Sequence, residues 1–399
     1  MYFCRLFEND MKRVFVIDIL SECKSKIQLL MLVLIGPFMY VQAQVGETPN
    51  LVRNEDGSIT FRYEDEKAMS MKIICDCELR RKTTTVQKEN YHTAKMVRDS
   101  SGWWTYTTPP LAPEVYTYQF ERNGITRFPD PTNPDSLRVH NAKMSGFIIA
   151  GTPQTDLYIV DTLHGRLDTL VFQSVNEEKP RRVVVYTPPQ YSENQEEYPV
   201  LYLLHGLNGN ELAWNERGCA TQILDNLIVQ KKAKPMIMVM PDANPVCLIA
   251  QKEDIGLGKN ILLYPTWKRR EFEKCFPELD TFLMEKYRFS TREGSRAVAG
   301  LSAGGKQAAN LANMYCGTFS SVGMFSPVVG HRQVPDSCYT RYWIGGGTGD
   351  PFHRRINKFR KRIQRSHVYY TMYNSRGGHT WRNWRVYFTD YVQTLFWNL

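Results

Sequence analysis

Between about residues 45 and 150, apolar and polar positions alternate in short runs. They read S-I-T-F-R-Y (58–63), M-S-M-K-I-I (69–74), W-W-T-Y-T (103–107) and V-Y-T-Y-Q-F (115–120). Period-two alternation is the mark of half-buried strands. Asp56-Gly57 and Asn123-Gly124 beside them are hairpin signals, because both favour positive φ. Strands at this spacing, with no helical period between them, predict a small all-β sandwich of immunoglobulin-like type over 44–150. Asp130-Pro131-Thr132-Asn133-Pro134 breaks the alternation and reads as the start of a linker.

From about residue 180 the pattern changes. The runs R-V-V-V-Y (182–186), V-L-Y-L-L (200–204), M-I-M-V-M (236–240), R-A-V-A-G (296–300), S-V-G-M-F (321–325), Y-W-I-G (342–345) and V-Y-Y-T-M (368–372) are continuously apolar. Strands covered on both faces read this way. Between them, apolar residues recur at helical spacing: Ile223, Leu224, Leu227 and Ile228; Phe272, Phe276, Leu279, Leu283 and Tyr287; Phe352, Ile356, Phe359 and Ile363. Strands alternating with amphipathic helices predict a doubly wound, mainly parallel α/β sheet over 151–399.

The N-terminus has another character. Lys24 and Lys26 precede the apolar run I-Q-L-L-M-L-V-L-I-G-P-F-M-Y (27–40), which V-Q-A (41–43) follows. A basic flank, a short apolar run and small residues describe a secretory signal over 1–43, cleaved near Ala43, with Met11 as an alternative start. The run is short for a membrane anchor, which needs about 20 residues. A periplasmic or secreted protein with no stable span after cleavage is therefore expected. At 42% hydrophobic and 23% charged the chain is globular, not disordered or fibrous. A net charge of +9 over 399 residues, with no nucleic-acid motif, does not indicate nucleic-acid binding. Nine cysteines are too few for a disulfide scaffold, and the seven beyond the leader leave at least one unpaired. Cys75 and Cys77 lack a second pair at ligand spacing, so no metal site is expected.

Gly300-Leu301-Ser302-Ala303-Gly304 fits G-x-S-x-G. The motif alone is weak, but it follows an apolar strand and precedes a helical stretch, A-A-N-L-A-N-M (308–314). That strand–turn–helix context is what a nucleophile elbow requires. A serine hydroxyl needs a base, and the base needs an orienting carboxylate. Downstream lie His331, His353, His367 and His379. His379 follows the last strand behind Gly377-Gly378, in a loop able to reach the top of the sheet. Asp336 and Asp350 are the only carboxylates between Ser302 and His379. Asp350 follows a strand and the loop G-G-T-G, which places it at the sheet's C-terminal edge, and it is preferred. The oxyanion amides are expected at Ala303 and, after the strand ending L-L-H-G (203–206), at Leu207. His205 reads as a loop-shaping residue, not a second base. Trp214, Trp267 and Trp381 are candidates for lining a substrate site, since aromatic faces suit sugars and phenolic acyl groups; core packing is the competing reading for the first two. Seven basic residues in 354–365 describe a solvated helix face.

These segments together resemble carbohydrate esterase family 1, the feruloyl and acetylxylan esterases related to esterase D. The resemblance rests on Y-P-V-L-Y-L-L-H-G (198–206), L-D-N-L-I (224–228), K-P-M-I-M-V-M-P (234–241), R-A-V-A-G-L-S-A-G-G (296–305), G-T-G-D (347–350) and G-G-H-T-W (377–381). Upstream, D-G-S-I-T-F-R-Y, P-L-A-P-E-V-Y-T-Y-Q-F (110–120) and D-P-T-N (130–133) are similar to the glycogen-binding-like (family 48) β-sandwich found before many such esterases. The resemblance implies an α/β-hydrolase with Ser302 as nucleophile, His379 as base, Asp350 as its orienter, and Leu207 and Ala303 as oxyanion amides. Ala303 stands where that family commonly has Met, which makes the pocket wall smaller.

The reading that follows is a secreted serine esterase acting on feruloyl or acetyl groups of plant xylan. A siderophore or other small-ester hydrolase is the runner-up, and a polysaccharide-binding protein on an esterase scaffold the alternative from another class. No metal or organic cofactor is implied.

Overall fold

The computed structural model describes residues 49–77, 92–133, 136–139, 142–149, 163–207, 209–244, 271–329, 340–366 and 368–399. The leader segment falls outside them. The described residues belong to one compact unit, Glu47–Leu399.

The N-terminal strands form two antiparallel sheets. One joins β1 (Leu51–Arg53), β2 (Ile59–Glu64), β6 (Trp103–Thr107) and β5 (Val97–Arg98). The other joins β4 (His92–Lys95), β3 (Met71–Cys75), β7 (Glu114–Arg122), β10 (Ala142–Ile149) and β9 (Ser136–Val139), with β8 (Thr126–Phe128) paired to β7. Phe61, Ile73, Cys75, Tyr118, Phe120 and Phe147 fill the space between the sheets. Both hairpin signals act as turns: Gly57, Asn123 and Gly124 all have positive φ.

The linker expected at Asp130 is a correction. Asp130 is buried, and its carboxylate accepts from Asn50 Nδ2 (2.9 Å), Tyr118 Oη (2.7 Å), the Thr132 amide (2.9 Å) and Thr132 Oγ1 (2.8 Å). The chain then returns into the same sandwich as β9 and β10. Turn residues mark a change of direction, and only the donors gathered around this carboxylate show that the turn is internal. Trp104 is core, with its indole N–H on Asp65 O (3.0 Å), while Trp103 lies under the Arg62 guanidinium.

The second sheet has eight strands in the order β11-β12-β14-β13-β15-β16-β17-β18. They are β11 (Arg166–Phe172), β12 (Arg181–Thr187), β13 (Val200–Leu204), β14 (Ile237–Pro241), β15 (Arg296–Leu301), β16 (Ser321–Phe325), β17 (Arg341–Gly347) and β18 (Tyr370–Ser375). β12 pairs antiparallel with both of its neighbours, β11 and β14, and the remaining pairs are parallel. This is an α/β-hydrolase sheet with a β-rich domain before it. Six of the seven strands anticipated here lie within two residues of the expected bounds at both ends; β18 starts two residues late and ends three late. The edge strand β11 was missed, because its half-exposed, charged residues lack an apolar run.

Six helices are described: α1 (Ala213–Glu216), α2 (Ala220–Val229), α3 (Glu271–Met284), α4 (Ala303–Met314), α5 (His353–Ile363) and α6 (Trp381–Val392). Val298, Val322, Met324 and Ile344 of the strands pack with Phe276, Leu279, Leu311, Ile356 and Phe359 of α3, α4 and α5. The alternate strand residues, such as Phe325 and Trp343, meet Trp214 of α1 and Tyr387 of α6, and Phe388 of α6 packs on Trp214. Strand order reverses at β13, whose neighbours β14 and β15 lie on opposite sides. In such sheets the crevice at the C-terminal ends of the strands flanking that reversal is the place for a ligand.

Candidate active site

Ser302 sits in that crevice, between the end of β15 and α4. Its backbone, at φ 53° and ψ −112°, occupies a region that non-glycine residues seldom adopt. The turn holds because Ser302 N–H donates to Phe325 O (2.8 Å) and Ser302 O accepts from Val328 N (3.0 Å). It also requires a small residue at 304: a Cβ on Gly304 would lie 2.3 Å from His205 O. Local sequence thus sets the elbow, and the neighbouring strand ends lock it. The hydroxyl stands at the N-terminus of a twelve-residue helix, where free amides and the helix dipole favour negative charge.

His379 Nε2 lies 3.0 Å from Ser302 Oγ, and His379 Nδ1 lies 3.0 Å from Asp350 Oδ2. Three residues from three loops, after β15, β17 and β18, are therefore joined in one hydrogen-bonded chain. Asp350 is buried, and its other oxygen accepts from the Phe352 amide (2.8 Å). Burial pushes its carboxyl up, but the hydrogen bond and charge of His379 outweigh that and hold it below the ordinary carboxylate range. The imidazole is gripped edge-on by two rings, Phe352 at 5.1 Å and Trp384 at 4.9 Å.

The loop after β13 closes the other side. A Cβ on Gly206 would meet Leu301 Cδ1 at 2.4 Å and Ser302 Cβ at 3.3 Å, so this glycine permits the close approach. Leu207 follows directly. Among the described residues, neither the Leu207 nor the Ala303 amide donates to another backbone group. His205 is buried, with Nδ1 on Gly206 O (2.7 Å) and Nε2 accepting the Ala243 amide (3.0 Å). An amide only donates, so Nε2 is the acceptor in that contact. Asp242 Oδ1 lies farther from Nε2, at 3.4 Å. Both ring nitrogens are occupied, as a loop-shaping residue requires.

The tryptophans separate. Trp214 is only 1% exposed and donates its indole N–H to Leu204 O (2.9 Å), so its placing in the substrate site is corrected: it is core. It lies edge-on beneath Trp381, centroids 5.2 Å apart, and Trp381 remains partly exposed. Trp267 lies outside the described residues, as do His331, Asp336 and His367. His353 is committed elsewhere, to Gly347 O (3.0 Å) and Asn357 Nδ2 (2.8 Å).

Sequence reasoning missed the two rings that hold His379. Phe352 is two residues after Asp350, and Trp384 is one helical turn beyond Trp381; that spacing was the available signal. It also missed a buried ionic cluster. Glu114 of β7 accepts from Arg382 Nε (2.8 Å) and from Arg385 Nε (2.8 Å), both on α6. Residues 268 and 271 positions apart leave no pattern in a single sequence.

The fold and crevice define the chain as an α/β-hydrolase. Residues 174–341 match the family described as putative esterase. A curated relative, an endo-1,4-beta-xylanase/feruloyl esterase of Xylanibacter ruminicola, is 31% identical over 260 residues, which is 64% of this chain. The aligned region is 33% of that protein, so the chain spans about a third of its length. Among solved structures, a ferulic acid esterase of Anaeromyces mucronatus in complex with ferulic acid matches with TM-score 0.51 at 21% identity, over 59% of this chain and 92% of that one. The enterobactin esterase of Shigella flexneri matches with TM-score 0.59 at 16% identity, over 89% and 97%. At these identities the structures speak to the fold. The chain is thus similar to carboxylic-ester hydrolases.

Proposed function

We propose that this protein is a serine carboxylic-ester hydrolase that removes feruloyl or acetyl groups from plant cell-wall xylan or its oligosaccharides. The observation that carries the reading is the hydrogen-bonded chain from Ser302 through His379 to Asp350 at the sheet's reversal point. In this mechanism His379 Nε2 takes the Ser302 proton as Oγ attacks the ester carbonyl. The amides of Leu207 and Ala303 receive the oxyanion, which needs no charged side chain there. The imidazolium, held in orientation by Asp350, then protonates the departing sugar oxygen as the ester C–O bond breaks, so the sugar leaves as an alcohol. Water, deprotonated by His379, attacks the acyl-enzyme and releases the acid. Trp381, half-exposed above the buried Trp214, is the surface for a sugar or phenolic ring.

The substrate class is supported by the feruloyl esterase name of the Xylanibacter relative. A periplasmic or secreted location is supported by the leader expected at 1–43. Cys316, which is disulfide-bonded, supports it as well. Disulfides persist in oxidising compartments. Among the described residues no helix is long and apolar enough to cross a membrane.

A second reading, hydrolysis of a siderophore ester, is favoured by one observation. The enterobactin esterase aligns over 89% of this chain, whereas the ferulic acid esterase aligns over 59%. The experiment is acid release by residues 44–399 from feruloylated arabinoxylan oligosaccharides, acetylated xylan and enterobactin, with Ser302→Ala as the blank. Ferulate or acetate release lost in Ser302→Ala is expected. Release from enterobactin alone would discard xylan and keep the chemistry. Full activity in Ser302→Ala would overturn the nucleophile.

A further inference from the structure

We propose that Glu114, in the N-terminal sandwich, is a positioning residue for His379, so that the sandwich forms part of the esterase active site. The inference rests on the catalytic reading of Ser302 and His379.

The physical link is short and continuous. Glu114 is buried at the start of β7. Its Oε1 accepts from Arg385 Nε (2.8 Å) and Nη2 (2.6 Å), and its Oε2 accepts from Arg382 Nε (2.8 Å). Two guanidinium groups on successive turns of α6 therefore converge on one carboxylate. Three further donor contacts stay within the cluster. Arg382 Nη2 reaches Tyr116 Oη (3.2 Å), Arg385 Nη2 reaches Val115 O (3.3 Å), and Arg385 Nη1 reaches Arg217 O (2.6 Å).

Arg385 accordingly binds three chain segments: its own helix, β7 of the sandwich, and the residue that ends α1. The first and the last of these lead back to the site. Arg217 closes the helix carrying Trp214, whose ring supports Trp381. The helix α6 begins two residues after His379. Asn383 Nδ2 donates to Gly378 O (2.6 Å), which ties the helix's first turn to the histidine loop. Trp384, next to Arg385, lies edge-on against the imidazole. A rotation or slide of α6 would move both the Trp384 ring and the Gly378 carbonyl, and with them His379.

The energetics favour a geometric role. A buried ion cluster loses much of its Coulomb gain to desolvation, and apolar residues of similar size often stabilise as well. What apolar contacts do not supply is a unique register. A carboxylate held by two guanidinium groups, one on each oxygen, accepts one arrangement of β7 against α6 and excludes others. Triad chemistry is sensitive on this scale, since a misplacement of about 1 Å can cost about 100-fold in rate.

Two variants separate positioning from stability. Glu114→Asp keeps the charge but retracts it by one carbon. The triple variant Glu114→Leu, Arg382→Leu, Arg385→Met removes the whole cluster and leaves no orphaned charge. Both are made in the full protein and assayed on a simple aryl acetate, with active sites titrated by a fluorophosphonate. The expected result is a kcat per titrated site lowered about 10- to 100-fold, with KM within about two-fold of wild type. The acid limb of the kcat/KM profile should shift, and the triple variant should melt near wild type. A kcat per titrated site within about two-fold of wild type in either variant overturns the proposal, whatever happens to stability. So does a loss confined to polysaccharide substrates, which would make the sandwich a binding module alone. Absence of aryl-acetate turnover in the wild type would instead refute the esterase reading.

Discussion

A Cβ placed on Gly347 would lie 2.0 Å from the carbonyl oxygen of Gly377. The loop that carries Asp350 and the loop that carries His379 are thus interlocked by backbone contact. Gly349 N–H donates to the same carbonyl at 3.1 Å. Gly347→Ala must push the two loops apart and lengthen the His379–Asp350 bond. The expected outcome is a kcat lowered roughly 10- to 100-fold with a folded protein, read by aryl-acetate kinetics and circular dichroism. Wild-type kcat would show that the loops have room to adjust.

The depressed carboxyl of Asp350 has a pH signature. The ionised form contributes stability at pH above the unfolded value of 3.8, and the contribution is lost as pH falls through the lower folded value. Asp350→Asn should therefore flatten the acid limb of the stability profile below about pH 4. Urea midpoints collected at steps down from pH 5 give the comparison. An acid limb as steep in the variant as in the wild type would contradict the assignment.

Trp214 and Trp381 touch, yet their substitutions should have different effects. Trp214→Phe removes the donor to Leu204 O and some packing, at about 1–3 kcal/mol, and lowers the melting temperature with KM unchanged. Trp381→Ala should raise KM for feruloylated oligosaccharides several-fold with little change in melting. Calorimetry beside steady-state kinetics separates them, and a KM effect from Trp214→Phe would return it to the substrate site.

His205 bridges the loop after β13 to the segment after β14. His205→Ala leaves the buried Ala243 amide without its acceptor, at about 1–3 kcal/mol, and frees the Gly206-Leu207 turn. If Leu207 provides an oxyanion amide, kcat should fall about 10-fold or more while KM stays close to wild type. Stopped-flow acylation measures this step directly. An unchanged acylation rate would separate His205 from the oxyanion loop.

The grouping of Ser302, His379 and Asp350 at the candidate site was legible in the chain because its signals are local. An apolar strand, G-x-S-x-G and a helix specify an elbow wherever the strand is placed. With one preferred carboxylate and one loop histidine behind it, Ser302, Asp350 and His379 followed by chain order. The extents of seven of the eight sheet strands along the chain were legible for the same reason, since burial on both faces leaves continuous apolar runs.

What the chain did not disclose depends on contacts between distant segments. Asp130 looked like a linker because turn residues do not reveal which donors will gather on a carboxylate. Trp214 looked like a sugar platform because a tryptophan's type does not state which way its ring points; the Leu204 carbonyl and the rings of Phe325 and Phe388 settle that. Glu114 carried no signal at all, since its partners lie on a helix at the other end of the chain. Local patterning determines which elements form and which residues can react. Packing alone decides which side chains are withdrawn into the core, and which buried charges join β7 to α6.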